Sequence, residues 1–92
     1  MQFEWDPEKD GKNQLTHRVS FAEASTVFGD PLAVTVDDPD HSEDEKRFLT
    51  TGRSDRQRVV IVWHTDRNDR VRLIGARGAT PAERHAYQDE SG

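Results

Sequence analysis

The chain has 92 residues, enough for one small domain, 1–92, with a thin hydrophobic core. It contains no cysteine, which excludes disulfides and thiolate metal sites, and it shows neither a signal peptide nor an apolar run of membrane-spanning length. We therefore expect a cytoplasmic protein without a membrane partner.

The net charge of −5 is unevenly distributed along the chain. Residues 1–46 carry 12 acidic and 4 basic side chains, whereas residues 47–92 carry 9 arginines and 6 acidic side chains. A negative net charge argues against nonspecific binding to nucleic acid, but it does not exclude a local arginine site.

The first third of the chain is predicted to form a short strand and two helices. Gln2–Trp5 alternates weakly and fits an edge strand. Asp6–Glu8 is typical of a helix start, with Asp as the N-cap and Pro at the first helical position, and this helix is predicted to end near Thr16. Ser20–Glu23 is a capping box that begins a second helix, which ends at Gly29.

The first of these helices carries a polar stripe. Lys9, Asn13 and His17 stand four residues apart, so their side chains lie on one face. A solvated helix face is the simpler interpretation of this stripe, and a functional face is the alternative.

Four segments rich in β-branched residues predict strands in the rest of the chain: Leu32–Val36, Arg47–Arg53, Val59–Trp63 and Val71–Ala76. A turn is predicted at Thr65–Asn68, and Thr80–Glu83 is a capping box that begins a last helix. Because mostly short loops join these strands, we predict an α+β domain. Its N-terminal helices pack on an antiparallel sheet of three to four strands, and a C-terminal helix follows.

The acidic segment Asp37–Glu45 joins the first two of these strands. The first spacings of a calcium-binding loop are present at Asp38, Asp40 and Ser42. Such a loop, however, needs a glycine where Glu43 stands and a twelfth ligand where Leu49 stands. A solvated loop is the favoured interpretation, and a contact for a basic protein partner is the alternative.

Familiar catalytic and metal-binding motifs are missing from the sequence. The four histidines are too scattered for a zinc signature, and no glycine-rich phosphate loop or G-x-S-x-G motif occurs, so no metal and no cofactor are expected. His64 alternates with Val60 and Val62, which fits a satisfied, half-buried histidine as well as a functional one. Trp63 points to the other side of this strand and is predicted to belong to the core.

Arginines near the ends of the C-terminal elements are the strongest candidates for chemistry. Arg67 lies in a predicted turn, Arg77 has the strand parity of the apolar residues before it, and Arg84 shares a helix face with Tyr87. If they converge with His17, the guanidinium groups would clamp a phosphate and the imidazole would transfer a proton. Three other arginines are interpreted as surface residues: Arg58, Arg70 and Arg72.

A series of short motifs resembles the BrnT-type toxins of bacterial type II toxin–antitoxin systems. In chain order the motifs are FEWDPEK (Phe3–Lys9), Asn13, His17, VSFAEA (Val19–Ala24), VFGDP (Val27–Pro31), Glu45 with Arg47, Gly52, TDR (Thr65–Arg67), ARGAT (Ala76–Thr80) and the E-R-x-x-Y of Glu83, Arg84 and Tyr87. Each motif alone is weak, but the combination is specific and covers nearly the whole chain. The chain departs from the family pattern in two places: Thr16-His17-Arg18 replaces the usual Lys-His-Gly, and Gly78 replaces a basic residue.

The resemblance implies a RelE-like fold and an endoribonuclease toxin that inhibits translation without a metal ion. In related toxins a base takes the proton of a ribose 2′-hydroxyl, the 2′-oxygen attacks the adjacent phosphate, and cationic groups stabilise the developing charge. The resemblance also implies neutralisation by a BrnA-type antitoxin. The toxin would then act on operator DNA only through this antitoxin. The alternative is a non-catalytic toxin remnant that serves as an antitoxin-binding module.

The same resemblance implies roles for the positions that match the family motifs. Arg67 and Arg77 are expected to stabilise the phosphate of the RNA substrate. His17 is the leading acid–base candidate, and Glu45 is its rival. Three further side chains are expected to bind RNA or the antitoxin: Arg47, Arg84 and Tyr87.

Overall fold

The computed structural model describes residues 1–38 and 45–91, which form an α+β domain. Its elements are β1 (Gln2–Glu4), α1 (Pro7–His17), α2 (Phe21–Thr26), a 3₁₀ turn (Val27–Gly29), β2 (Val34–Asp37), β3 (Arg47–Arg53), β4 (Val59–Arg67), β5 (Arg70–Gly78) and α3 (Pro81–Ser91). Within these described ranges, no helix combines the length and the apolarity needed to cross a membrane. The calcium and basic-partner interpretations rest on the acidic segment, of which residues 39–44 lie outside the described residues.

The described strands form one mixed sheet in the order β1-β5-β4-β3-β2. The prediction of an antiparallel sheet of three to four strands after the helices is therefore partly wrong. The sheet has five strands, and β1, which precedes the helices, pairs in parallel with β5. A three-residue strand gives too short a pattern to predict its partner, and this partner stands almost seventy residues away in the sequence.

A bulge in the β4–β5 hairpin changes which side chains share a face. Trp63 pairs with Gly75 whereas His64 pairs with Leu73, so Ile74 is an extra residue in β5. Side chains after the bulge therefore point to the face opposite to the one expected from simple alternation. Arg77 consequently lies on the face of Trp63, and its predicted position on the face of Leu73 is wrong.

The hydrophobic core lies between the sheet and the first two helices. Strands β4 and β5 contribute five side chains to it, namely Val60, Val62, Val71, Leu73 and Ala76. The segment around α2 contributes Val19, Phe21, Ala24 and Val27. The serine of the predicted capping box does begin α2, because the Ser20 side chain accepts a hydrogen bond from the Glu23 amide at 3.0 Å. We call this side of the sheet the helical side.

Helix α1 is fixed to the sheet by one residue of its polar stripe. Asn13 is buried, and its amide nitrogen donates hydrogen bonds to the carbonyl oxygens of Ala76 at 2.9 Å and Val19 at 2.8 Å. Its amide oxygen accepts from the backbone nitrogen of Ala76 at 3.2 Å. A solvated face is therefore the wrong interpretation for Asn13, although Lys9 and His17 are exposed.

Arg58 is also more than a surface residue. It forms a bidentate pair with Glu23, whose side chain is only 5% exposed, and Ser54 donates a further hydrogen bond to the same carboxylate at 2.7 Å. Hydrogen bonding from Arg58 is the main reason that the pKa of Glu23 is lowered. This network ties α2 to the β3–β4 connection, so Arg58, which is exposed as predicted, also holds the fold together.

Helix α3 packs on the other side of the sheet. Its capping box forms as predicted, because Thr80 and Glu83 each accept a hydrogen bond from the other's backbone amide. Tyr87 is 6% exposed, and its hydroxyl donates a hydrogen bond to Asp30. The groove beside this helix is lined by apolar side chains of β2, β3 and β4, including Val36, Leu49 and Ile61.

Candidate functional site

The side of the sheet opposite the helical side carries a set of arginines around one aromatic ring. The strand register places Arg47 opposite Thr65, Arg67 opposite Arg70, and Trp63 opposite Gly75. Since paired residues share a face and alternate residues along a strand do too, these side chains lie on one surface. We call it the arginine face, and its members are Arg47, Trp63, Arg67, Arg70, Arg72 and Arg77.

One end of the arginine face, at the β4–β5 turn, holds an arginine–glutamate pair. Arg67 donates two hydrogen bonds to Glu45, at 2.7 and 3.0 Å, and both side chains are nearly half exposed. The hydrogen bonds from Arg67 lower the pKa of Glu45, and the charges of Arg72 and Arg47 add to this effect. Glu45 is consequently ionised at neutral pH. Arg72 itself pairs with Glu4 at 2.9 Å.

The other end of the arginine face holds a second bidentate pair. Arg77 donates to both carboxylate oxygens of Glu83, at 2.7 and 2.9 Å. The hydrogen bonds from Arg77, followed by those from Thr80, lower the pKa of Glu83 to about 2. The Arg77 guanidinium carbon also stands 5.5 Å from the centre of the Trp63 ring, in cation–π geometry. This end is therefore joined to both α3 and the indole.

Arg67 and Arg77 do not converge. Arg67 is the last residue of β4, whereas Arg77 pairs with Ile61 six positions earlier on that strand. At about 3.3 Å per residue the two ends stand roughly 20 Å apart. The expected single clamp is wrong because β4 and β5 form an antiparallel hairpin, with Arg67 at its turn end and Arg77 near its open end. The turn consists of Asn68 and Asp69 rather than the predicted Thr65–Asn68.

His17 lies away from both arginines. It is the exposed last residue of α1, between Asn13, which binds Ala76, and Arg18, whose carbonyl oxygen accepts a hydrogen bond from Arg58. These neighbours place it near the end of the sheet where β5 finishes, on the helical side. Across the described part of the chain, no hydrogen bond or ion pair joins His17 to Arg67 or Arg77.

The remaining expected binding residues differ in exposure. Arg84 is exposed on α3 and Arg47 is half-buried beside Glu45. Tyr87 uses its hydroxyl within the fold, and burial followed by the bond to Asp30 raises its pKa. The structure thus gives Tyr87 an anchoring position, while Arg47 and Arg84 retain exposed surface.

His64 belongs to the interior. It is 3% exposed, its Nε2 atom lies 2.8 Å from the hydroxyl of Thr50, and its ring packs between Phe28 and Phe48. Burial lowers its pKa, which outweighs the opposing effect of Asp66, so the ring is neutral at pH 7. Its Nδ1 atom stands 3.4 Å from Asp66 without a well-aligned hydrogen bond. These contacts support the interpretation of a core histidine.

Two residues of this architecture are not apparent from the sequence. Trp63 is predicted as core but is only half-buried and lies in the middle of the arginine face. Glu83 is predicted only as a capping residue, yet it also pairs with Arg77. Both residues contact Arg77, whose place on this face depends on the bulge at Ile74, and no residue type there identifies a bulge. Among residues 1–38 and 45–91, no cluster of three or more potential metal-binding side chains occurs.

Comparisons with known proteins agree on one family. The sequence model of the family described as "Ribonuclease toxin, BrnT, of type II toxin-antitoxin system" matches residues 5–83. The 1.1 Å crystal structure of the Brucella abortus ribonuclease toxin BrnT is similar to this fold, with a TM-score of 0.67, 18% sequence identity and coverage of 87% of this chain and 97% of that chain. At that identity the structural likeness concerns the fold alone. No curated protein matches the sequence significantly.

Proposed function

The chain belongs to the BrnT family of ribonuclease toxins of type II toxin–antitoxin systems, and from this premise we propose that it cleaves RNA on its arginine face without a metal ion. The observation that carries the proposal is the arginine face itself. Five guanidinium groups of the described chain stand on one side of the sheet around an aromatic ring. Guanidinium groups bind phosphates in the bidentate geometry that Arg67 and Arg77 already make with carboxylates.

The Arg67–Glu45 pair is the proposed reaction centre. An RNA phosphate replaces the Glu45 carboxylate on Arg67, because the same guanidinium fork fits both anions. The released carboxylate takes the proton of the ribose 2′-hydroxyl, and the 2′-oxygen attacks the adjacent phosphorus. The bond from phosphorus to the 5′-oxygen breaks, and this oxygen takes a proton from solvent. Arg67 stabilises the negative charge that builds up on the phosphate.

The Arg77 end of the face is proposed to hold a more distant part of the same RNA strand. Its distance of roughly 20 Å from Arg67 spans several nucleotides, so one strand running along β4 would reach both pairs. Arg77 therefore contributes to the binding of RNA rather than to the reacting phosphate.

A type II toxin has an antitoxin partner, and we propose that this partner is of the BrnA type and covers the arginine face. Arg47 and Arg84 have the exposure to contact either RNA or the antitoxin. Any effect on operator DNA would then pass through the antitoxin. Loss of RNA cleavage in the presence of a stoichiometric antitoxin is the expected result.

Incubation of the free protein with single-stranded RNA and a chelator tests the proposal. We expect cleavage that EDTA does not change, with 2′,3′-cyclic phosphate and 5′-hydroxyl ends. A single 2′-deoxy nucleotide at the cleaved position removes the nucleophile and should block the reaction there. Absence of cleavage, or cleavage that requires an added divalent metal, would contradict the proposal.

His17 is the rival base, and two variants separate it from Glu45. Glu45→Gln removes the proposed base and should lower the cleavage rate about 10²–10⁴-fold, the usual contribution of a general base. His17→Ala should leave most of the rate, because His17 lies on the helical side of the sheet. The opposite pattern would assign the base to His17.

A non-catalytic antitoxin-binding module is the second candidate. The observation in its favour is that three arginines of the face, Arg67, Arg72 and Arg77, are already paired with carboxylates that offset their charge. This candidate predicts tight antitoxin binding together with no RNA cleavage and no growth arrest when the chain is expressed alone.

A further inference from the structure

The indole of Trp63 occupies an unusual place for a large aromatic side chain. It is only half-buried, at the centre of the arginine face, because the bulge at Ile74 aligns it with Gly75 rather than with a larger residue. The guanidinium of Arg77 lies 5.5 Å from the centre of the ring. The indole thus lies among cations that are suited to phosphates.

The surface next to this ring is open. Among the described residues, no atom outside the two chain neighbours of Gly75 lies within 4 Å of the position that a β-carbon on Gly75 would occupy. The apolar groove under α3 is lined by Leu49 and Ile61 but does not extend to Trp63. The partner of Trp63 on β5 is Gly75, which has no side chain to fill the space beside the indole, whereas the Arg77 guanidinium lies over the ring.

We propose that Trp63 is a stacking platform for one nucleobase of the bound RNA. The inference rests on the proposed ribonuclease function and adds a base contact to its phosphate contacts. Every base offers a flat π-face to an indole, so such a contact favours single-stranded RNA without selecting a sequence. A base above Gly75 would find room because that position has no side chain, and Arg77 beside it would hold a neighbouring phosphate.

Fluorescence titration with an uncleavable 2′-O-methyl oligoribonucleotide tests the platform directly. The chain has two tryptophans, and Trp5 packs against Phe21 in the core, so Trp5→Phe leaves Trp63 as the only indole. We expect RNA to quench the emission of Trp63. The Kd of the Trp5→Phe protein, which retains Trp63, for this oligoribonucleotide is the reference value for the variants below.

Two substitutions test the contact in different ways. Trp63→Leu removes the π-face and should weaken RNA binding about 5- to 150-fold, which corresponds to about 1–3 kcal/mol for one stacked base. Gly75→Leu leaves the indole in place but fills the space beside it. Gly75 has no positive φ, and no described residue other than its chain neighbours would contact a β-carbon there. The substitution should therefore weaken binding without unfolding the protein.

Gly11→Leu is the matched control, because it adds the same side chain at an exposed glycine of α1 that also has no close neighbour. It should bind RNA like the parent protein. The stacking platform is overturned if RNA leaves the emission of Trp63 unchanged, or if Gly75→Leu binds as tightly as Gly11→Leu. A parent protein that neither binds nor cleaves RNA would overturn the proposed function itself, whereas a parent that cleaves RNA without these effects would overturn the platform alone.

Discussion

At the scale of single residues, Asn13 completes the hydrogen bonding of β5 beyond the point where its pairing with β1 ends. Strand β1 pairs with β5 only as far as Arg72, so the backbone of Ala76 lacks a strand partner on that side. The amide group of Asn13 supplies both a donor and an acceptor to Ala76 and a second donor bond to Val19. With these three hydrogen bonds, the buried amide satisfies backbone groups that a neighbouring strand would otherwise pair with.

Replacement of Asn13 by alanine should therefore lower the free energy of unfolding by about 1–3 kcal/mol, because buried backbone groups lose their partners. Urea denaturation measures this change. Leu15→Ala on the same helix is the control, since Leu15 is 87% exposed and its loss should change stability by less than about 0.5 kcal/mol. Equal effects of the two variants would show that the Asn13 bonds do not stabilise the fold.

Gly52 is constrained by the close approach of neighbouring side chains. A β-carbon there would stand 2.8 Å from Val27 and 3.0 Å from the side chain of Ala33. Gly52→Ala should therefore force β3 away from the 3₁₀ turn and destabilise the protein by about 1–3 kcal/mol, as overpacking does. Thermal denaturation checks the prediction, with Gly29→Ala as the control, because no atom within the described part of the chain crowds the new carbon there. A Gly52→Ala protein as stable as that control would contradict it.

At the scale of elements, side-chain hydrogen bonds attach α3 to the rest of the fold. Glu83 binds Arg77 at the start of the helix, and Tyr87 binds Asp30 one turn later. The Arg77–Glu83 pair belongs to the arginine face as well, so a phosphate that competes for Arg77 would also loosen the start of α3.

The attachment of α3 should consequently depend on pH. Hydrogen bonds from Arg77 in the first place, and from Thr80 in the second, lower the pKa of Glu83 from 4.5 to about 2. The stabilisation is therefore complete above about pH 5 and is lost as the pH falls from 4.5 towards 2. Glu83→Gln should lower the free energy of unfolding by about 1 kcal/mol at pH 7. The value is small because solvent screens the pair, whose two side chains are about one third exposed. Urea denaturation of both proteins at pH 7 and pH 3 measures this difference. A difference that does not shrink at pH 3 would contradict the assignment.

The helices of this fold follow from local sequence signals. Asp6, Ser20 and Thr80 form the predicted caps, because a side-chain oxygen next to free backbone amides specifies a helix start within a few residues. The limits of β3 at Arg47 and Arg53 are also confirmed. These signals are short-range, so a single sequence contains them in full.

The sheet order and the geometry of the candidate site depend on long-range pairing. The partner of β1 is β5, and the parity of Arg77 depends on one extra residue, Ile74. Neither feature has a local signature, since any strand residue can occupy a bulge or an edge position. Family motifs and residue types indicate Arg67, Arg77 and Glu45 as candidates, but their grouping into two pairs at opposite ends of a face follows only from the three-dimensional pairing.

At the scale of the whole molecule, arginines are concentrated on one face of the sheet. The chain is acidic overall, with a net charge of −5, yet five of its arginines share one face of the sheet. Such a distribution disfavours general adhesion to nucleic acid and restricts attraction to one surface. The central claim is that this face, and Arg67 in particular, performs RNA cleavage.

Single-turnover cleavage of one RNA by Arg67→Ala, Arg77→Ala and Arg56→Ala tests that claim most directly. Arg56 is the charge-matched control, an exposed residue between β3 and β4 at the other end of β4 from Arg67. We expect Arg67→Ala to lower the rate about 10²–10³-fold, the usual cost of removing a group that stabilises a transition-state charge. Arg77→Ala should mainly weaken RNA binding, and Arg56→Ala should cleave at the parent rate. Equal rates for Arg67→Ala and Arg56→Ala would contradict the account.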